Sequence, residues 1–234
     1  MILEICANSF QSALNAQNAG AHRIELCSEL SVGGITPSFG LLKKVAETLT
    51  IPVQVLIRPR SGDFCFSAEA FDIIKHDIQL CKELGFAGIV SGVLNTDNTI
   101  DLIRTKQLIA LAKPLTFTFH RAFDRVPNPF EALKLLIDLG VDRILTSGQK
   151  STAEAGIELL IQLNERANQQ IILLPGSGIN PENAALFKNA GFQEIHTSAS
   201  KIIQSSNEND VYFGNTRQTA SDVNIIKSIL KVIK

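Results

Sequence analysis

Soft side chains are scarce in this chain: methionine occurs once, at residue 1, and the four cysteines stand alone, with no Cys-x-x-Cys and no paired short spacing. That scarcity excludes a disulfide framework and fits reduced thiols. Charge of one sign is also missing. The net charge is -1, with no basic run and no basic patch interleaved with aromatics, so nucleic acid is excluded as the expected partner. No stretch approaches the roughly 18 uninterrupted apolar residues of a membrane span. No signal-like segment precedes the strand-like run that opens at Ile2, and a cytoplasmic protein is expected. The turn after that run, Cys6-Ala-Asn-Ser-Phe10, contains no glycine, which argues against a doubly wound open sheet with its glycine fingerprint after the first strand.

What the chain does contain is a repeated unit. A glycine, two or three mixed residues and an isoleucine recur at Gly20 to Ile24, Gly85 to Ile89, Gly140 to Ile144 and Gly191 to Ile195. Each glycine closes an amphipathic helix-like segment, where a residue with φ > 0 stops a helix, and an apolar strand-like run follows. Four further runs interleave with these: Ile2 to Cys6, Val53 to Ile57, Leu115 to His120 and Ile171 to Leu174. Two of them follow Pro52 and Pro114, a position that suits the first residue of a strand. Eight strands separated by helical patterns over 234 residues predict a single (β/α)8 TIM barrel spanning 1–234. The polar segment 204–218 is expected as a loop, either a bridge or a flap over the mouth, ahead of a last helix from Ala220 to Ile233.

Strand alternation then assigns faces. Glu4, Cys6 and Asn8 share one face of the first strand, and Arg23, Glu25 and Cys27 one face of the second. Arg58 and Arg60, Thr118 and His120, and Glu194, His196 and Ser198 follow the same rule on strands three, five and eight. These polar sets must point inward, since the aliphatic sets are needed against the helices. The interior is therefore charged, and its charges should be paired. Glu4, Arg23, Arg143 and Glu194 lie at strand beginnings, where a buried ion-pair layer is expected. Asn8, Cys27, Arg58, His120 and His196 lie near strand ends, where barrel sites are built.

Several loops at that end carry chemistry. Thr36-Pro37 reads as the N-cap and first residue of the second helix. Arg58-Pro-Arg60 presents two guanidinium groups suited to an anion, and His120-Arg-Ala-Phe-Asp124 gathers an imidazole, a guanidinium and a carboxylate. Glu25, Arg58, His120 and Asp124 are the candidate catalytic groups. Gly176-Ser177-Gly178, ahead of a helix expected near Pro181, together with Ser198 after strand eight, offers backbone N–H groups for a phosphate. The expected anion-binding set is Arg58, Arg60, Gly176, Ser177, Gly178 and Ser198.

The strings LEIC (3–6), HRIELC (22–27), GGITPSFG (33–40), RPRSGDF (58–64), TFHRAFD (118–124), RILTSG (143–148), PGSGI (175–179) and EIHTSAS (194–200) together resemble the CutC family, collinearly from residue 3 to about 200. Ser61, Phe66 and Ser177 depart from the family's usual residues. The resemblance implies a (β/α)8 barrel linked with copper homeostasis, a cytosolic homodimer, and a copper proposal resting on cysteines that match Cys6 and Cys27. Cu(I) prefers soft ligands in low coordination number. Cys6 and Cys27 lie on adjacent strands about 4.8 Å apart, close enough to share a metal, but no third soft ligand is evident, and Cu(I) binding that is weak or absent is expected. Cys65 reads as a surface thiol and Cys81 as a packing residue. Two functions follow: Cu(I) binding or trafficking through Cys6 and Cys27, and an enzyme acting on a small anionic or phosphorylated metabolite at the barrel mouth.

Overall fold

Eight parallel strands alternate with helices in the computed structural model, which describes residues 1–204 and 218–234. The strands are β1 (Ile2–Ala7), β2 (Arg23–Leu26), β3 (Val53–Leu56), β4 (Gly88–Ser91), β5 (Thr116–Phe119), β6 (Arg143–Thr146), β7 (Ile172–Pro175) and β8 (Glu194–Thr197). From β1 to β7 each pairs in parallel with its sequence neighbours, and β8 pairs in parallel with β1. The barrel closes between β7 and β8 through a single parallel bridge from Gly176 to His196. Gly176 suits this close approach: a Cβ here would lie 2.6 Å from Leu145 Cδ1 and 3.2 Å from His196 Cδ2, so those side chains would have to shift.

Helices α1 (Phe10–Ala19), α2 (Phe39–Thr48), α3 (Ala68–Glu83), α4 (Leu102–Ala112), α5 (Pro129–Asp138), α6 (Ile157–Ala167), α7 (Ala184–Asn189) and α8 (Val223–Ile233) coat the barrel. Six of them open on a Ser, Asp or Asn whose side chain accepts a first-turn N–H: Ser9, Ser38, Ser67, Asp101, Asn128 and Asp222. Such a cap contributes about 1 kcal/mol. The four repeat glycines all adopt the left-handed conformation, with φ between 75° and 89°, so the sequence repeat is a repeat of helix stops.

Leu3, Ile5, Ile24, Leu26, Val55, Ile89, Phe117, Phe119, Ile144 and Ile195 form the outward face and pack in one continuous core with the helices. Burying each such side chain fully contributes about 1.5–3 kcal/mol. A second, small apolar cluster of Cys6, Cys27, Leu56 and Val90 lies apart from it, within the barrel. Below it run the charges. Arg23 bridges Glu4 and Glu194, Arg143 reaches Glu194 at 3.0 Å, and His196 Nδ1 lies 2.8 Å from Glu4 Oε1. The paired charge layer is thus present, and it recruits a histidine.

Three boundaries differ from expectation. Ser38, not Thr36, caps α2, because Thr36 Oγ1 accepts the Arg58 N–H at 2.9 Å. The helix after β7 begins at Ala184 and has six residues, since Asn180 and Asn183 first cap each other's backbone. The last helix begins at Val223, because Gln218–Ser221 (β10) pairs antiparallel with Ser200–Gln204 (β9). The ends of the predicted 204–218 loop are therefore strand residues, and 205–217 lie outside the described residues. Asn8 and Asn15 bond backbone carbonyls of Thr219 and Ser221, which pins this hairpin beside α1.

Candidate functional site

The loops at the C-terminal ends of the strands surround a cavity of about 1240 Å3. Its floor is set by closure of the barrel, which brings β1, β2 and β8 side by side. Register places Cys6 opposite Glu25, so Cys27 stands two residues further on, just past the end of β2. The two sulfurs nonetheless approach to 3.6 Å, and Cys6 Sγ lies 3.6 Å from Glu25 Oε1. One donor atom each from Cys6, Glu25 and His196 falls within 4.8 Å of the others. Because the Nδ1 of His196 faces Glu4, its Nε2 is the nitrogen left for a ligand. A carboxylate on the far nitrogen is the usual way a metal-binding imidazole is oriented.

Electrostatics sets the proton content of this cluster. The Cys27 contact, burial and the nearby Glu25 push the Cys6 thiol well above its usual range. Burial raises Glu25 to about 7, with Glu4 adding to burial and His196 opposing it. Burial disfavours charge on His196, yet Glu25 and Glu4 outweigh burial and raise its pKa. Glu25 Oε2 has no hydrogen-bond partner among the described residues. The floor therefore holds protons that a metal would displace.

The opposite wall, from β3 and β5, is cationic. Arg58 is 4% exposed and donates through Nη1 to the carbonyls of Val32 (3.0 Å) and Gly34 (2.9 Å) and through Nη2 to Gly62 (2.8 Å), leaving Nε unpartnered. Its main task is to clamp two loops, which corrects the expectation of a free guanidinium fork. Arg60 does not face the cavity: its guanidinium donates to Asp63 and to the carbonyls of Ser61 and Cys65. Asp124 is also committed elsewhere. Its two oxygens accept from Thr146 Oγ1, from the backbone N–H groups of Ser147 and Gln149, and from Arg121, so it organises the loop after β6 rather than standing free as a base.

His120 does line the cavity. Its Nδ1 accepts the Ala122 N–H at 3.3 Å, which leaves the proton of the neutral ring on Nε2, an atom without a partner. Burial, followed by the charge of Arg58, lowers its pKa to about 3. Gly92 makes room for this ring, since a Cβ there would lie 2.8 Å from Nδ1.

Of the predicted phosphate loop, Ser177, Gly178 and Ser198 line the cavity, whereas Gly176 gives its N–H to Thr146 O and serves barrel closure. Ser177 Oγ donates to Ser151 O, and Ser198 Oγ pairs with Ser200 Oγ. Cys27 contributes through contact with Cys6 rather than by lining the cavity. Cys65 is partly exposed and Cys81 buried. Of the three clustered donors, Glu25 and His196 lie outside the metal pair expected from the sequence, and Cys27 of that pair is not among the three; His196 had a legible signal. The signal was its inward strand-end position, two residues beyond Glu194.

Among the described residues no helix is long and apolar enough to cross a membrane. A sequence model of the CutC family matches residues 1–201. A family protein CutC from Photorhabdus laumondii is 50% identical over 204 residues, covering 87% of this chain and 82% of the relative. Its counterpart from Salmonella typhi is 48% identical over 204 residues, covering 87% and 78%. The crystal structure of a CutC protein from Streptococcus agalactiae superposes with a TM-score of 0.81 at 32% identity, covering 85% of this chain and 98% of that one. More distant barrels, such as 3-hexulose-6-phosphate synthase from Salmonella typhimurium (TM-score 0.63, 15% identity, covering 100% of this chain and 98% of that one), share the fold alone. By family model, sequence identity and fold together, the chain belongs to the CutC family.

Proposed function

We propose that the chain binds Cu(I) at the floor of the barrel mouth, with Cys6 and Cys27 as thiolate ligands and His196 Nε2 as the third donor. The observation that supports this most is the 3.6 Å approach of the two buried sulfurs, of which that of Cys6 clusters with an imidazole whose other nitrogen is held by Glu4. Two thiolates and an imidazole make a donor set suited to Cu(I). Glu25, a hard oxygen donor, matches Cu(I) poorly and serves better as acceptor of the proton that a thiol gives up. The Streptococcus agalactiae relative bears copper homeostasis in its name, which agrees with a role in copper handling.

Competition against a Cu(I) chelator tests the reading. Cys6→Ser, Cys27→Ser and His196→Ala should each weaken binding by at least tenfold, about 1.4 kcal/mol. Wild-type affinity in Cys27→Ser would reduce the sulfur pair to packing and defeat the proposal.

A further inference from the structure

The cavity is far larger than a metal site needs. Its volume of about 1240 Å3 exceeds the roughly 300–1,000 Å3 of pockets that enclose small organic ligands, and the soft donors occupy one corner of it. The wall facing them has a charge imbalance. Arg58 is buried with no carboxylate within 4.0 Å among the described residues. Three backbone carbonyls satisfy its N–H groups but neutralise none of its charge, and a buried charge without a counter-charge is costly. Arg125 adds a second cation nearby. Its guanidinium lies 5.9 Å from the Phe64 ring centroid, that of Arg58 lies 4.9 Å from the same ring, and Arg125 has no hydrogen bond or ion pair among the described residues. The His120 ring packs against Phe64 as well, at 4.7 Å, with its Nε2–H unpartnered.

Two guanidinium groups and one orphaned imidazole N–H thus meet around one phenyl ring, on a wall of the cavity, and the acid whose charge reaches both guanidinium groups, Asp63, is already ion-paired with Arg60. We infer that this wall binds a small oxyanion, a phosphoryl or carboxylate group of a metabolite, with Arg58 and Arg125 as counter-charge and His120 Nε2–H as a neutral hydrogen-bond donor. Ser177 and Gly178 line another part of the same cavity, whose volume leaves room for the rest of such a molecule. His120 Nε2 and Arg58 Nε are closed to water as the structure stands. The ligand therefore gains them by displacing the Phe64 ring, which packs 4.7 Å from the His120 ring and 4.9 Å from the Arg58 guanidinium. The inference is independent of copper, because none of the three donors is a proposed metal ligand.

Thermal unfolding at constant ionic strength decides the matter, with inorganic phosphate in one arm, malonate in a second and chloride as the reference. A saturable rise in Tm with phosphate points to a phosphoryl ligand, and one with malonate to a carboxylate. Arg125→Gln is the informative variant, since that side chain holds nothing else in place and the protein should fold normally. Its apparent affinity for the stabilising anion should fall about tenfold or more, the loss of one charge-assisted contact. His120→Gln should weaken the same response, and Cys27→Ser should keep it whether or not copper binding is lost. No saturable rise with either anion, or an equal rise in wild type and Arg125→Gln, overturns the inference.

Discussion

Replacing Arg23 by methionine removes the centre of the buried charge layer. Arg23 bridges Glu4 and Glu194, carboxylates that are 1% and 2% exposed. Breaking a buried pair from one side costs about 3–5 kcal/mol, because the stranded charge stays desolvated. The lower end applies here, since Arg143 remains on Glu194 at 3.0 Å and His196 on Glu4 at 2.8 Å. A loss of about 3 kcal/mol is a large part of the 5–15 kcal/mol that holds a domain together, and it lowers Tm by about 6–12 °C at this chain length.

The pH dependence gives the test its sign. Burial alone would raise the Glu4 carboxyl, but the His196 hydrogen bond and the Arg23 charge overcome burial and bring it from 4.5 to about 2. A carboxylate displaced that far contributes about 3 kcal/mol of stability at neutral pH. Because the folded-state value is the lower one, this contribution is complete above pH 4.5 and is lost as pH falls toward 2. Arg23→Met forfeits much of it, so its deficit should be greatest near neutrality and shrink in acid. Urea unfolding of both proteins near neutral pH and below pH 4.5 measures this. A deficit under about 1 kcal/mol at neutral pH, or one that grows on acidification, refutes a stabilising layer.

Three other outcomes follow from the same geometry. His120, whose folded pKa of about 3 lies below its ordinary 6.5, makes the wild type lose stability as pH falls between these values, and His120→Gln should flatten that part of a Tm-against-pH curve. Asp124→Asn should loosen the loop after β6, which hydrogen exchange at Ser147 and Gln149 would detect, with a stability loss of about 1–3 kcal/mol. Gly156→Ala places a Cβ 2.0 Å from the backbone oxygen of Ser147 and should cost at least about 2 kcal/mol by denaturant titration, because backbone cannot swing aside as a side chain can.

The barrel was legible in the sequence because its grammar is local. A helix stop needs φ > 0, glycine supplies it, and four such stops in fixed relation to isoleucine-led runs mark four strands. The inward charges were legible by alternation, and Glu4, Arg23, Arg143 and Glu194 do form one network. What alternation could not reveal is which partner a charged side chain takes. Alternation puts Arg60 on the same face as Arg58, but both lie past the end of β3, and Asp63, three residues on, holds Arg60 outside the cavity. Asp124 looks like a base beside His120, yet the loop after β6, more than twenty residues later in the chain, takes both its oxygens. His196 escaped the metal set for a related reason. Its neighbour Cys6 is 190 residues away in sequence, and only closure of β8 on β1 brings them together.

The two cavity histidines show how far neighbours outweigh residue type. Both end a strand, both point inward and both are buried, so sequence position assigns them the same role. His196 sits with Glu4 and Glu25, two acids that favour positive charge beside them, and its pKa is raised. His120 sits beside Arg58, with burial and a cation both opposing its protonation, and it stays neutral down to about pH 3. The cavity is thereby polarised across its width, with acids and thiols on the β1, β2 and β8 side and guanidinium groups on the β3 and β5 side. A field of that shape sorts its ligands by sign: cations are drawn toward Cys6 and His196, and anions toward Arg58 and Arg125. A histidine at the cationic wall can only donate to an anion without competing for charge, whereas one at the acidic wall can exchange its proton for a metal. Exchanging the wall charges, for example by Arg125→Glu, should therefore weaken anion binding while leaving chelator-competed Cu(I) affinity within about threefold of wild type, since Arg125 is exposed and its charge is screened by solvent. A Cu(I) affinity that moved as far as the anion affinity would show that the two walls act as one site.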